Sequence, residues 1–374
     1  MKNIVIVGGS FASVGTAHRL LKQAAKALPS GSFKITIVSR DSHLYWNIAA
    51  PRAIISGQLS DDQIFQPIAQ GFAHYPAGSF EFVLATATGI DVGSKTLEAV
   101  DVEGNEKKIV YDYLIIGTGA RAHASAPFKS IGSTEETKAA LHEYQAKIKA
   151  AKKIVIVGAG PTGVEVAGEL AFEYGQSKEI VLITSGSAVL DDRPANMSNT
   201  AKKHLETLKV DVRLNTKVQD TIAPSGGAQE LTLSNGEKLA ADLVIPTYGV
   251  TPNSSFVPAK FLNAKGFVDV DEYFRVKGAE GVFAIGDVSS IEGPQLIYVE
   301  KQSEHMAKNL VLALKNTSLI PYKAATGGMM GIQIGKKAGA GHFNSWTLPG
   351  WLVSMLRKTL FIEKLPKAVD GSMY

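Results

Sequence analysis

Two glycine-rich stretches are the clearest sites for chemistry in this chain. Gly158-Ala159-Gly160-Pro161-Thr162-Gly163 is a complete GxGxxG. Its first glycine permits a tight turn, the second lets backbone approach a pyrophosphate, and the third lets the next helix press against the preceding strand. At an offset of 150, Gly8-Gly9-Ser10-Phe11-Ala12-Ser13 repeats the pattern with serines where the second and third glycines belong. The match extends backwards, since Lys2-Asn3-Ile4-Val5-Ile6-Val7 is echoed by Lys152-Lys153-Ile154-Val155-Ile156-Val157. Each copy is a β-branched run read as a buried parallel strand, then a turn, then a helical pattern. A helix N-terminus entered from such a turn offers N–H groups and a positive dipole end to a phosphate. Two copies therefore predict two nucleotide sites, one for a bound flavin and one for a diffusible nicotinamide cofactor.

The elements around these turns repeat as well. The strand after such a turn commonly ends in an acid that holds the adenosine ribose. Here residues 33–38 lead into Ser39-Arg40, and 179–183 into Thr184-Ser185. Nothing there separates NADH from NADPH, and both stay open. Residues 111–119 and 242–249 read as paired strands closing each unit, each with a small-residue turn. Residues 281–287 form another buried-strand pattern ending in Gly286-Asp287, where the plain reading of Asp287 is a helix N-cap.

Composition narrows the chemistry. The 374 residues include 36 glycines and no cysteine. That excludes a disulfide scaffold, thiolate metal sites, a cysteine nucleophile and dithiol redox chemistry. The eight histidines form no HxxxH or His/Asp cluster, so no metal site is expected. An apolar fraction of 45% and mean hydropathy near zero suit a globular chain of two or three domains. No apolar run reaches the roughly 18–20 residues of a membrane span. The N-terminus carries neither a targeting pattern nor a glycine acceptor for myristoylation. The expected location is the cytoplasm or a membrane or organelle surface, and no nucleic-acid partner is expected. The formal charge of +4 is uneven: residues 315–374 hold eight cations against Glu363 and Asp370, a net of +6, leaving −2 for the rest.

At this point the residues resemble a known family. The two glycine motifs, Thr118-Gly119, Gly163-Val164-Glu165 and Gly286-Asp287, in that order over residues 1 to about 312, are similar to the two-dinucleotide-domain flavoproteins of the pyridine nucleotide–disulfide reductase superfamily. More narrowly, Asp41-Ser42-His43-Leu44-Tyr45-Trp46-Asn47-Ile48-Ala49-Ala50-Pro51-Arg52-Ala53 resembles the apoptosis-inducing-factor-like proteins, ferroptosis suppressor protein and its fungal relatives among them. The resemblance implies an α/β fold of two Rossmann-like domains, glutathione-reductase-like, plus a small C-terminal α+β segment. The expected divisions are 1–125 and 250–314 for FAD, 126–249 for NAD(P)H, and 315–374 for the C-terminal domain.

It also implies roles. Gly8, Gly9, Ser10, Phe11, Ala12 and Ser13 would line the FAD pyrophosphate. Arg40 would lie near its adenosine, with Arg52, Thr118, Gly119 and Gly286 also on the cofactor, and Asp287 would bind its ribityl or pyrophosphate region. Gly158, Gly160, Pro161, Thr162 and Gly163 would cradle NAD(P)H, with Glu165 where nicotinamide and flavin meet. The disulfide reductases of this superfamily pass electrons through a cysteine pair. Without one, electrons leave the flavin directly, to a quinone or to dioxygen. The rival reading is a redox-sensing flavoprotein whose NAD(P)H-dependent conformation controls partner binding.

Quinone reduction calls for stacking surfaces and proton donors. Candidates are Trp46, Asn47 and Arg52, and Glu300, Lys301, Gln302 and His305 on a helix expected over 297–307. Each has a plainer alternative: Trp46 as a core anchor, Arg52 on a structural carboxylate, His305 at the surface. In the C-terminal segment, residues 327–335 read as a glycine-interrupted strand and turn. A helix is expected from 351 to about 365, with Leu352, Met355, Leu356 and Leu360 as its apolar stripe and Arg357, Lys358 and Lys364 beside it. Packing over the flavin is its plain reading and peripheral membrane contact its sharper one. The oligomeric state is left open.

Overall fold

The computed structural model describes residues 1–123, 126–222, 228–325 and 328–374. The sequence repeat is a repeat of structure. Strands β1 (Lys2–Val7), β2 (Phe33–Ser39), β3 (Phe80–Asp91), β4 (Thr96–Asp101), β5 (Glu106–Val110) and β6 (Tyr113–Ile116) come from the first third of the chain. Strands β7 (Lys153–Val157), β8 (Glu179–Ile183), β9 (Asp211–Arg213) and β10 (Leu243–Pro246) make a second sheet, ordered β9-β8-β7-β10 and wholly parallel. The chain then returns through β11 (Val282–Ala284) to the first sheet, ordered β11-β6-β1-β2-β3-β4-β5. Residues 124 and 125, where the first expected domain ends, lie outside the described residues.

The two β-branched runs sit at matching places. Ile4 pairs with Ile35 on one side and Tyr113 on the other, and Ile154 pairs with Ile180 and Leu243. Ile4, Val5, Ile6 and Val7, like Ile154, Val155 and Ile156, are buried, as strands covered on both faces must be. Each central strand feeds a helix, α1 (Phe11–Ala27) or α3 (Pro161–Tyr174); α2 (Thr134–Ala150) links the two units. Both glycine turns thus lie beyond the carboxyl end of a strand flanked on both sides, where open α/β sheets bind ligands. α4 (Ala195–Thr207) packs on the second unit, and α5 (Leu296–Leu314) lies along α1.

The C-terminal segment departs from expectation. Gly327 lies outside the described residues, and the strand begins at β12 (Met329–Ile334), followed by β13 (Ala338–Phe343) and β14 (Trp346–Leu348) in an antiparallel sheet. The expected helix ends early: α6 spans Gly350–Leu356, and Leu360 and Phe361 have φ of 52° and 58°. Side chains of the first unit take carbonyls that a continuous helix would have used internally. Arg52 Nη1 donates to Lys358 O at 2.9 Å and Trp46 Nε1 to Leu360 O at 2.8 Å. The apolar stripe fails too, because Met355 and Leu356 are exposed while Val353 and Leu360 are buried. A last helix, α7 (Leu365–Val369), returns the chain to α1, where His18 Nε2 lies 2.7 Å from Val369 O.

Candidate functional site

The first glycine turn and the start of the helix after the second, though not Gly158 or Gly160 themselves, open on one cavity of about 980 Å³. In the first, Gly8 has φ +113°, a left-handed region in which other residues are strained. Ser10 precedes α1 in extended conformation and its hydroxyl makes no capping bond. Gly8, Gly9, Ser10, Phe11 and Ala12 all line the cavity. Ser13 does not. It is fully buried, with its hydroxyl donating toward Val7 O and Gly117 O at 3.5 and 3.4 Å, so its expected place on the cofactor is corrected to one between helix and strand.

The second turn repeats the geometry, with Gly158 at φ +107° and Gly160 as the N-cap of α3. Pro161 opens the helix, where its missing N–H costs no bond. Pro161 and Thr162 line the cavity, while Gly163 sits beneath the turn, where a Cβ would overlap the Gly158 carbonyl. A third helix start joins them, since Gln295, Leu296 and Ile297 at the head of α5 are also in the lining. Three positive dipole ends thus face one space.

Between the turns stand the remaining expected ligands. Thr118, Gly119, Gly286, Asp287, Arg40 and Asn47 line the cavity. Thr118 Oγ1 donates to Asn253 O at 2.7 Å, and Gln302 holds the N–H of Gly286 at 2.7 Å. Asp287 lies inside a short 3-10 turn whose N-cap is Ile285, so the capping role does not apply. Its partner is Lys129 Nζ at 2.6 Å. Lys129 belongs to a strap over the cavity, held by Tyr45 on Pro127 O at 2.9 Å, Asn47 on Phe128 O at 3.2 Å and Arg40 on Ser130 O at 3.5 Å. Asp41, one residue past Arg40, lines the same wall, and burial pushes its carboxyl up to about 7 against the pull of Arg40.

Glu165 lines the cavity from the first turn and a half of α3. Its Oε1 accepts from Arg357 Nη2 at 2.8 Å and from the N–H of Gln333 at 3.3 Å. Burial pushes its carboxyl above the usual range and Arg357 opposes that. Of the other catalytic candidates, Asn47 and Glu300 line the cavity, while Trp46, Arg52, Lys301, Gln302 and His305 do not. Trp46 is fully buried, edge-on to Phe11 and tied to Leu360, an anchor rather than a platform. Arg52 is buried against Glu169, Nη2 to Oε1 at 2.7 Å, so the structural-carboxylate alternative describes it and the cofactor role is withdrawn. Lys301 is exposed on α5, and His305 Nε2 donates to Ile320 O at 2.8 Å. Both point away because the cavity meets only the first turns of α5, and neither lines it.

The cavity fits a dinucleotide flavin and a nicotinamide dinucleotide. Open space stands where a Cβ on Gly160 would project, the helix starts and the Ser10 hydroxyl suit phosphate oxygens, and an apolar wall suits rings. Sequence reasoning missed Lys129, Asp41, Arg193 and the wall residues Met330, Ile332, Val353 and Phe361. Asp41 was within reach, two residues past the strand end. Lys129 was not, because its partner is 158 residues away.

Comparison with known proteins agrees with this geometry. The family described as pyridine nucleotide-disulphide oxidoreductase matches residues 2–304. An oxidoreductase of Pestalotiopsis fici, ptaL, is 61% identical over 373 residues, covering 100% of both chains. Ferroptosis suppressor protein 1 of Xenopus tropicalis is 28% identical, covering 99% of this chain and 96% of that one. Among solved structures, the sulfide:quinone oxidoreductase of Aquifex aeolicus superposes with a TM-score of 0.78 at 20% identity, over 98% of this chain and 92% of that one.

Proposed function

Because the chain belongs to the pyridine nucleotide-disulphide oxidoreductase family, as an apoptosis-inducing-factor-like oxidoreductase that uses FAD and NAD(P)H, we propose that it passes electrons directly to a quinone. The observation that carries this reading is the apolar wall that the C-terminal segment lends to the cavity. Met330, Ile332, Leu348, Val353 and Phe361 line the cavity together with the head of α5, and the chain has no cysteine to act as a relay. A flat, largely apolar ring is the acceptor such a wall suits. The quinone in the name of the Aquifex protein is in keeping with this.

Bound FAD supplies the two-electron carrier between nicotinamide and acceptor. The protein supplies the rest. Gly160 and the start of α3 hold the NAD(P)H diphosphate, and Gly8 to Ala12 with Asp287 hold the flavin side. The wall excludes water from the ring. The overall reaction, NAD(P)H + H⁺ + quinone → NAD(P)⁺ + quinol, takes up one proton from solvent. Glu165, whose carboxyl is raised by burial while Arg357 opposes the rise, is the lining group assigned to relay that proton.

The test is anaerobic mixing of the purified flavoprotein with NADH or NADPH, followed by quinone. Bleaching of the flavin and its rapid return on adding quinone are expected. Return no faster than in air would overturn the quinone reading, and a long-lived reduced complex would favour the redox-sensing alternative. Gly160→Val should weaken nicotinamide binding about tenfold or more with FAD content unchanged. Loss of flavin instead would mean that the two sites are exchanged.

A further inference from the structure

One face of the C-terminal segment lies mostly outside the cavity, meeting it only at Met329 and Leu356. α6 rests on the β12–β13 hairpin through Val353, whose methyl groups lie 3.1, 3.0 and 2.9 Å from where Cβ atoms would stand on Gly331, Gly339 and Gly341. Three glycines let the helix sit low, and its outer side is turned to solvent. That side carries Trp351, Met355 and Leu356, which are 68%, 59% and 55% exposed. At the end of the hairpin Phe343 and Trp346 pair across β13–β14, and Met329 pairs with Phe343 across β12–β13. All three are exposed, Trp346 at 77%. A lone exposed apolar side chain needs no explanation, whereas six within residues 329–356 do.

Charge indicates what covers them. From His305 to Ile362, 58 residues include seven lysines and arginines and not one Asp or Glu. Lys308, Lys336 and Arg357 pair with Glu304, Glu173 and Glu165 from elsewhere, and Lys315, Lys323, Lys337 and Lys358 make up the rest. Lys358, two residues past Leu356, is exposed, and Lys364 stands on the cavity rim with Leu356 and Phe361. Glu363, the next carboxylate along the chain, is engaged by the Thr359 hydroxyl at 2.7 Å. A second copy of this chain would bring the same cations face to face, which is repulsive. An anionic bilayer meets both demands: the boundary between headgroups and acyl chains takes the apolar side chains, tryptophans above all, and the headgroups take the lysines. Among the described residues no helix is long and apolar enough to cross a membrane.

We propose that the outer face of α6 and the end of the β12–β14 hairpin dock the protein on the surface of anionic lipid bilayers. Met329 and Leu356 belong both to this face and to the cavity lining, so the cavity opens where the lipid would be. The docking itself does not depend on the identity of the electron acceptor.

The full flavoprotein is mixed with vesicles of phosphatidylcholine alone, or containing about one-third phosphatidylserine, and followed by flotation and tryptophan emission. Trp46 is buried while Trp346 and Trp351 are exposed, so a blue shift reports insertion of the face. Expected is flotation with the anionic vesicles only, lost at high salt, together with the blue shift. Trp351→Ser/Met355→Ser should weaken binding about tenfold or more, and Lys358→Glu less, both with FAD content and reduction by NADH unchanged. No flotation, or flotation that the double substitution leaves intact, overturns the proposal. So does a lipid-free dimer in light scattering that the same substitution dissociates.

Discussion

Beneath the two dinucleotide turns the same gap is closed in opposite ways. In the first unit a hydroxyl stands on the helix, Ser13, and the residue after the neighbouring strand is Gly117. In the second the helix carries Gly163 and the residue after the strand is Thr247. The positions correspond, because Val7 pairs with Ile116 as Val157 pairs with Pro246, and Gly117 N and Thr247 N donate to Val7 O and Val157 O at 2.8 and 2.9 Å. A Cβ on Gly117 would overlap the Ser13 hydroxyl, and a Cβ on Gly163 would come within 2.6 Å of the Thr247 hydroxyl. One small residue and one hydroxyl fill the gap either way. The third glycine of the motif is therefore a requirement on a pair of residues, which is why the degenerate first copy keeps its turn.

The helices differ again two and six residues further on. At the offset of 150, Gly15 and Arg19 of α1 correspond to Glu165 and Glu169 of α3. The C-terminal segment clasps both: the Arg19 guanidinium lies 4.1 Å from the centre of the Tyr374 ring, while Arg357 pairs with Glu165. Glu169 is tied to Arg52, and both are almost wholly buried. The largest expected effect follows from that pair. Glu169→Ala leaves a buried guanidinium without its anion and should cost about 3–5 kcal/mol in urea unfolding. Glu169→Leu/Arg52→Met, which removes both charges, should cost distinctly less. Equal losses would mean that the pair contributes packing and little else.

Gly163→Ser tests the exchange beneath the turns. It sets a new side chain against both the Thr247 hydroxyl and the Gly158 carbonyl, and should destabilise by about 3 kcal/mol. Adding Thr247→Gly recreates the arrangement of the first unit and should restore about 1 kcal/mol, the Gly158 contact remaining. Additive losses in a thermal-unfolding cycle would show that the two positions do not share one gap.

Much of this was legible in the sequence because it is local. The β-branched runs, the glycines at 8 and 158 and the repeat at 150 encode strand, turn and helix without help from elsewhere. What was not legible depends on contacts between distant segments. Trp46, Arg52 and His305 are residue types that chemistry often uses, and only their partners at Leu360, Glu169 and Ile320 reveal them as structural. The helix expected up to 365 has a sound periodicity, yet it ends at Leu356 because Arg52 and Trp46 hold the carbonyls beyond it. Periodicity sees neither three glycines drawing Val353 inward nor the solvent face left on the other side.

The finest difference between the units is in how much each hydroxyl does. Thr247 Oγ1 lies 2.8 Å from Gly158 O and 3.0 Å from Val157 O, within good donor range, whereas Ser13 Oγ reaches its two carbonyls only at 3.4 and 3.5 Å. Thr247→Val keeps the shape and removes a well-formed bond, so it should cost about 1 kcal/mol or somewhat more. Ser13→Ala removes only long contacts, and Val7 O keeps the N–H of Gly117, so it should cost about 0.5 kcal/mol or less, with FAD content unchanged. If Ser13→Ala proved the costlier of the two, the first unit would depend on its hydroxyl for more than filling space, and the two halves would be less alike than their backbones suggest.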